Sequence, residues 1–273
     1  MAGKVAERSV DMIYADPPFG NEQVWSGRSG SFDDRWSDRA PSQASWERLR
    51  AHNVAGAAVL EVATASAAAR SYLGAMADIL VASHRCLKPT GTFWLHFDDT
   101  MGAHLRLLCD VVFGPQLAIG TLFWKRTLGG HANAKSFGRV HDTIACYGRT
   151  EAARWRLWRI GTLGGDPFGS GFNRFHDFAD AAPLNTGSNE RVGYPTQKPV
   201  DLLVEIIRAA TRPGDLVVDP TCGSGTTLVA AMKTGRRAIG IDQSADAIAA
   251  ARKRISGPST SQGSLFDFAE VAA

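Results

Sequence analysis

The 273-residue sequence has little cysteine: Cys86, Cys109, Cys146 and Cys222 lie far apart and form no Cys-x-x-Cys pair. That spacing argues against a zinc site and a disulfide framework, and points to a reducing, cytoplasmic setting. Long apolar runs are lacking too. Asp11 and Asp16 interrupt the first hydrophobic stretch, and no run reaches the roughly 18 residues of a membrane span, so neither export nor membrane insertion is expected. Internal repeats and low-complexity blocks are missing. What is present, 44% hydrophobic residues with 28 glycines and 7 tryptophans, suits a globular chain with a real core, as one domain or one domain with an elaboration.

Net charge is small, at +3, but it is unevenly spread. Between Thr121 and Ile160 stand eight basic residues, Lys125, Arg126, Lys135, Arg139, Arg149, Arg154, Arg156 and Arg159, against two acids, Asp142 and Glu151. This segment is therefore +6 and the remainder of the chain is −3. Tryptophans and glycines interleave with those charges, a pattern that suits phosphates and stacked bases, although a solvated face of a strand pair would show the same excess.

The order of patterns is that of an α/β domain. Ser9–Ala15 reads as a short buried strand that must stop at Pro17-Pro18. Gln43–Leu87 reads as two helices, the second ending before Lys88-Pro89. A strand at Gly91–Phe97, a helix at Gly102–Phe113 and a strand pair at Leu117–Trp124 and His141–Tyr147 follow. Thr150–Tyr194 has no periodicity. Order resumes with Pro199 as the expected first residue of a helix, a strand ending at Asp219, the loop Pro220–Gly225, a helix from Thr226, and a strand Arg237–Asp242.

A glycine-rich turn between strand and helix, with an acid ending the next strand, is the geometry that holds an adenosine. Gly223 and Gly225 allow close backbone approach, and Asp242 is placed to accept from two ribose hydroxyls. A dinucleotide fingerprint would want a small residue where Leu228 stands, and Asp219 would repel a pyrophosphate while attracting a sulfonium or ammonium. S-adenosylmethionine fits better than a nicotinamide dinucleotide.

Asp16-Pro17-Pro18-Phe19 supplies a carboxylate, a rigidly held carbonyl and an aromatic ring. An exocyclic amino group on a base is a poor nucleophile because its lone pair is delocalised into the ring. Two acceptors on its N–H bonds, here Asp16 and the Pro17 carbonyl, favour a tetrahedral nitrogen and stabilise the charge that develops as it attacks a methyl group. Phe19 can stack on a base that has left the duplex. No covalent nucleophile is needed, and cytosine C5 chemistry is set aside because the one loop cysteine, Cys222, lies inside the glycine turn.

The motifs Asp16–Phe19, Trp124-Lys125-Arg126, His141–Ile144, Tyr194–Pro199, Asp219–Thr227 and Gly240-Ile241-Asp242 together resemble the site-specific DNA amino-methyltransferases, which act on adenine N6 or cytosine N4. Their order, catalytic turn first and cofactor loop last, resembles the permuted beta class. The resemblance implies a Rossmann-like methyltransferase sheet divided into a catalytic half (1–149), a small irregular target-recognition insert (150–193), a cofactor-binding half (194–256) and a flexible tail (257–273). At 273 residues, no separate restriction or motor domain is expected. It implies Asp16, Pro17, Pro18 and Phe19 as catalytic residues, and Lys198, Pro199, Asp219, Thr221, Cys222, Gly223, Ser224, Gly225, Thr226 and Asp242 at the S-adenosylmethionine site. Lys125, Arg126, Lys135, Arg139, Arg154 and Arg156 are expected to meet double-stranded DNA. Relatives usually carry Phe at the position of Thr221, and many have a strand and a Gly-Asp step upstream of the catalytic strand, so either a truncated start or a missing edge element is expected here. Asp16 favours adenine over cytosine. The competing readings are cytosine N4 methylation, RNA methylation and an accessory DNA-binding subunit. A homodimer is a further expectation of the class, and Gln262–Phe266 resembles the short peptides that dock on sliding clamps; the alternative is that Leu265 and Phe266 pack on their own domain.

Overall fold

The computed structural model of the protein describes residues 5–126, 138–154, 177–179, 181–185 and 187–256, together with the backbone of 266–270. Its centre is strand β1 (Val10–Ala15), buried along its whole length. A strand covered on both faces reads as a nearly continuous apolar run, and Val-Asp-Met-Ile-Tyr-Ala does so apart from Asp11. Ile13 and Ala15 face one core, and Met12 and Tyr14 face the other.

After β1 come a small antiparallel hairpin, β2 (Val24–Gly27) and β3 (Gly30–Asp33), then helices α1 (Gln43–His52), α2 (Val54–Ala63) and α3 (Ala67–Cys86). Where the sequence pattern predicts two helices there are three, and Asn53 is the reason. Its backbone is extended (φ −155°, ψ 95°), which ends α1, while its side chain accepts from the Gly56 N–H to begin α2 and donates to the Val111 carbonyl at 2.9 Å. Strand β4 (Leu87–Phe97), helix α4 (Gly102–Phe113) and strands β5 (Ala118–Lys125), β6 (His141–Gly148) and the two-residue β7 (Phe178–Ala179) follow. Helix α5 (Val200–Ala210) begins one residue later than expected: Pro199 is its extended N-cap, and the Val200 N–H donates to Glu190 Oε1 at 3.0 Å. The chain then forms β8 (Leu216–Asp219), α6 (Thr226–Lys233), β9 (Arg237–Asp242), α7 (Ala245–Ile255) and β10 (Phe266–Glu270).

One sheet takes eight of these strands in the order β10-β9-β8-β1-β4-β6-β5-β7. Pairing is parallel from β10 through β4, and β6 runs antiparallel between β4 and β5. Helices α1 to α4 cover one face, around Trp46, Leu73, Leu80 and Phe113; α5 and α6 cover the other through Leu203, Ile207 and Leu228. The edge beyond β9 is taken by the backbone of β10. Phe266 therefore belongs to a strand of this chain; residues 262–265 of the clamp-like peptide lie outside the described residues.

Gly240 explains how α6 lies so close to the sheet. A Cβ there would stand 2.9 Å from Leu228 and 3.0 Å from the Cys222 sulfur. The small residue that lets helix and strand approach is thus on the strand, which leaves room for Leu228 on the helix. Replacing Gly240 by Ala overpacks this contact and is expected to cost about 1–3 kcal/mol in urea unfolding, with the Leu228→Ala, Gly240→Ala double variant less destabilised than the sum of its singles.

Candidate active site

From β1 the chain proceeds to β4 on one side, and from β8 to β9 on the other. The crevice of an open parallel sheet forms at such a reversal, outside the carboxyl ends of the two strands. Asp16 stands one residue beyond β1 and Asp219 is the last residue of β8, so both carboxylates enter the same space. The turns are tied together directly: the Asp16 N–H donates to Thr221 Oγ1 at 3.0 Å. A phenylalanine at position 221, the residue relatives usually carry, could not accept that bond. A cleft of about 580 Å³ is lined by Asp16, Pro17, Phe19, Lys198, Asp219 and Asp242 among others.

The Asp16–Phe19 turn is held from several sides. Tyr72 donates its hydroxyl to the Pro18 carbonyl at 2.9 Å. Asp34, 1% exposed at the end of the β2–β3 hairpin, accepts from the Gly20 and Asn21 N–H groups at 3.0 Å each and from the Trp36 indole at 2.9 Å. This anchor and the hairpin's Trp25 and Phe32, whose stacked rings face the cleft with centroids 6.4 Å apart, have no clear signal in the sequence. Lys198 donates through Nζ to both oxygens of Asp16, at 2.9 and 2.7 Å, and lies 5.2 Å from the centre of the Phe19 ring. Its own carbonyl accepts from Thr226 Oγ1 at 3.4 Å, so Lys198 touches both turns.

On the other side of the cleft Asp219 is held by donors on each oxygen: the Thr221 N–H at 3.0 Å and the Thr227 hydroxyl at 2.6 Å. Burial outweighs these bonds and, with the charges of Asp16 and Asp242, pushes its carboxyl up to about 7. Asp242 accepts from the Gly223 N–H at 2.8 Å and the Ser244 N–H at 2.9 Å, and burial raises its carboxyl as well. Gly225 opens α6 from the left-handed region (φ 79°), with Ala251 so near that a Cβ would meet its methyl at 2.9 Å. Cys222 and Ser224 are buried in the same loop.

Behind Asp16 lies a buried polar chain of which the sequence pattern singled out only Asp142, within the motif His141–Ile144. The Tyr14 hydroxyl is 2.6 Å from His96 Nδ1, and His96 Nε2 is 3.2 Å from Asp142 Oδ2. Burial pulls the Asp142 carboxyl up, but the His96 bond and the charges of His96, Lys198 and Arg126 outweigh it and leave the group below its ordinary range. Of the basic residues, Lys125 ends β5 at the cleft edge of the sheet and Arg126 follows it, with Nη1 3.4 Å from Asp142 Oδ1. Arg139 donates to Thr100 Oγ1 at 3.1 Å, and Thr100 in turn donates to Asn21 on the cleft wall. Arg154 is set apart. It lies near the start of β5, at the opposite edge, with its guanidinium spent on the Gln116 and Ala118 carbonyls at 3.2 and 2.9 Å. Lys135, Arg156 and most of the irregular insert lie outside the described residues.

Comparison with known proteins gives this cleft a context. A family profile described as DNA methylase matches residues 10–253. The type II methyltransferase M.BglII of Bacillus subtilis is 30% identical over 68% of this chain, and M.EcaI of Enterobacter cloacae is 23% identical over 92% of it. The chain spans 57% and 65% of those relatives' lengths. Among solved structures, TTHA0409 of Thermus thermophilus, described as a DNA modification methylase and complexed with S-adenosyl-L-methionine, superposes with a TM-score of 0.60 at 17% identity, covering 99% of this chain and 94% of its own. The cytosine-N4-specific PvuII DNA methyltransferase superposes with a TM-score of 0.57 at 16% identity, covering 94% and 83%. Because the profile takes in both carboxylate-bearing turns and nearly all of the sheet between them, the chain belongs to the N6/N4 DNA methylase family.

Proposed function

We propose that the protein methylates the N6 amino group of adenine in double-stranded DNA, with S-adenosylmethionine as methyl donor. The observation that carries this reading is the single cleft shared by Asp16 and the pair Asp219 and Asp242, closed by the Asp16–Thr221 bond. The residues suit the donor. Asp242, fixed by two N–H groups, keeps lone pairs for two ribose hydroxyls, and Asp219 offers a buried negative charge to a cation. When bound, S-adenosylmethionine supplies an electrophilic methyl group on a sulfonium, so the protein's task is placement and charge stabilisation.

Asp16 and the Pro17 carbonyl would accept from the amino N–H groups of a flipped base, and Phe19 would stack on its ring. The amino nitrogen gains a methyl group and gives up one proton, while the sulfonium becomes a neutral thioether. Positive charge that develops on the nitrogen would be met by the Asp16 carboxylate. Lys198, which holds both Asp16 oxygens, would have to yield at least one of them to the incoming amino group. Lys125, Arg126 and Arg139, at the cleft edge, would contact DNA phosphates, and residues 150–193 would select the sequence.

Asp16→Ala is expected to lower methyl transfer to duplex DNA by about 100- to 1,000-fold while leaving the dissociation constant for S-adenosylmethionine within about threefold. Transfer at the wild-type rate would contradict the assignment. A second expectation concerns pH. Asp219 in the free protein keeps its proton up to about 7, whereas an unfolded aspartate loses it near 3.8, so the free protein loses stability as pH rises through that interval. A bound cation favours the ionised carboxylate, so affinity for S-adenosylmethionine, measured by calorimetry, should rise with pH by up to about tenfold per unit below about 7 and level off above it. Asp219→Asn should remove that dependence.

A further inference from the structure

Strands β1, β4 and β6 each send one polar side chain into the otherwise apolar layer beneath the catalytic turn: Tyr14, His96 and Asp142. His96 is fully buried. A buried imidazole is costly unless both nitrogens are partnered. Here both are: Asp142 Oδ2 is 3.2 Å from Nε2 and the Tyr14 hydroxyl is 2.6 Å from Nδ1. One ring orientation is thereby fixed.

The ring so fixed is in contact with the reaction space. Phe19 lies against it with centroids 5.8 Å apart at 33°, and Trp124 meets it edge-on at 5.9 Å. Nδ1 is 3.9 Å from Asp16 Oδ1. Tyr14 precedes Asp16 by two residues, so its bond to His96 also fixes where β1 delivers the carboxylate. Asp142 Oδ1 accepts no hydrogen bond among the described residues, and Arg126 stands 3.4 Å away from it. The chain of contacts thus runs from a basic residue at the cleft edge to the stacking ring.

We propose that His96 is a positioning residue for methyl transfer: held by Asp142 and joined to Tyr14, its imidazole is the floor on which Phe19 rests and so sets the depth at which the target base meets Asp16. The inference rests on the amino-methyltransferase reading above. It assigns His96 no contact with substrate and no proton transfer.

A floor for the base and mere glue between strands differ in kinetics. Misplacement of reacting groups by a fraction of an ångström to an ångström lowers turnover without weakening binding. His96→Leu is expected to lower kcat about 100-fold and Tyr14→Phe about tenfold, with the KM for S-adenosylmethionine and the affinity for duplex DNA within about threefold of wild type. Asp142→Asn, which keeps an acceptor for Nε2, should recover most of the kcat that Asp142→Leu loses. If His96→Leu does not fold, Tyr14→Phe, which removes a single oxygen, carries the test. Folded variants with wild-type kcat, or with activity that falls only in step with the folded fraction, would overturn the inference and leave the parent reading intact. A wild-type protein that transfers no methyl group to DNA would overturn both.

Discussion

The parallel pairing of β1 with β8, Met12 beside Val217 and Ile13 beside Val218, is the contact on which the cleft depends. It brings together two segments separated by about 200 residues of sequence and aligns their carboxyl ends. One strand delivers Asp16 and the other Asp219, and the Asp16–Thr221 bond fixes the register of the two turns. Sheet geometry does not depend on which strand comes first in the chain. The order found here, Asp16 turn before glycine loop, therefore yields the crevice that a doubly wound sheet forms at its point of reversal.

Three carboxylates in one partly dry cleft repel one another, and the protein resolves this unevenly. Asp16 has the Lys198 ammonium on both oxygens. Asp242 has backbone N–H groups on both of its own. Asp219 has neutral donors and deep burial, which carries its carboxyl to about 7. A cation placed beside Asp219 would favour its ionised form, as the proposed sulfonium cofactor would. The two halves of the site thus differ: Lys198 offsets the charge of Asp16, and the proposed cofactor would offset that of an ionised Asp219.

Much of this was legible in the residues because local chemistry dictated it. Pro17-Pro18 had to end a strand, the glycine turn had to join a strand to a helix, and Asp242 had to close the next strand; all three stand where the pattern placed them. What was not legible arises from contacts distant in sequence or from residues with more than one use. Asn53 splits a long apolar stretch into two helices by serving as the end of one and the cap of the next. Asp34 reads as an ordinary loop acid until it is seen to bind the backbone of the catalytic turn. His96 sits within a strand pattern, and only the partners brought by β1 and β6 give it a role. Arg154 shows the opposite error of inference: basic composition grouped it with Lys125 and Arg126, but β5 puts it at the far edge of the sheet.

The central claim is that the two turns form one site at which a methyl group passes from S-adenosylmethionine to the amino group of adenine in DNA. It is tested most directly by incubating the protein with S-adenosylmethionine labelled in the methyl group and duplex DNA of mixed sequence, then digesting the DNA to nucleosides for mass spectrometry. The account predicts label in N6-methyladenosine of the deoxy series. Label in N4-methylcytosine would move the target to cytosine and keep the site, whereas label in C5-methylcytosine, or none in DNA, would contradict the account.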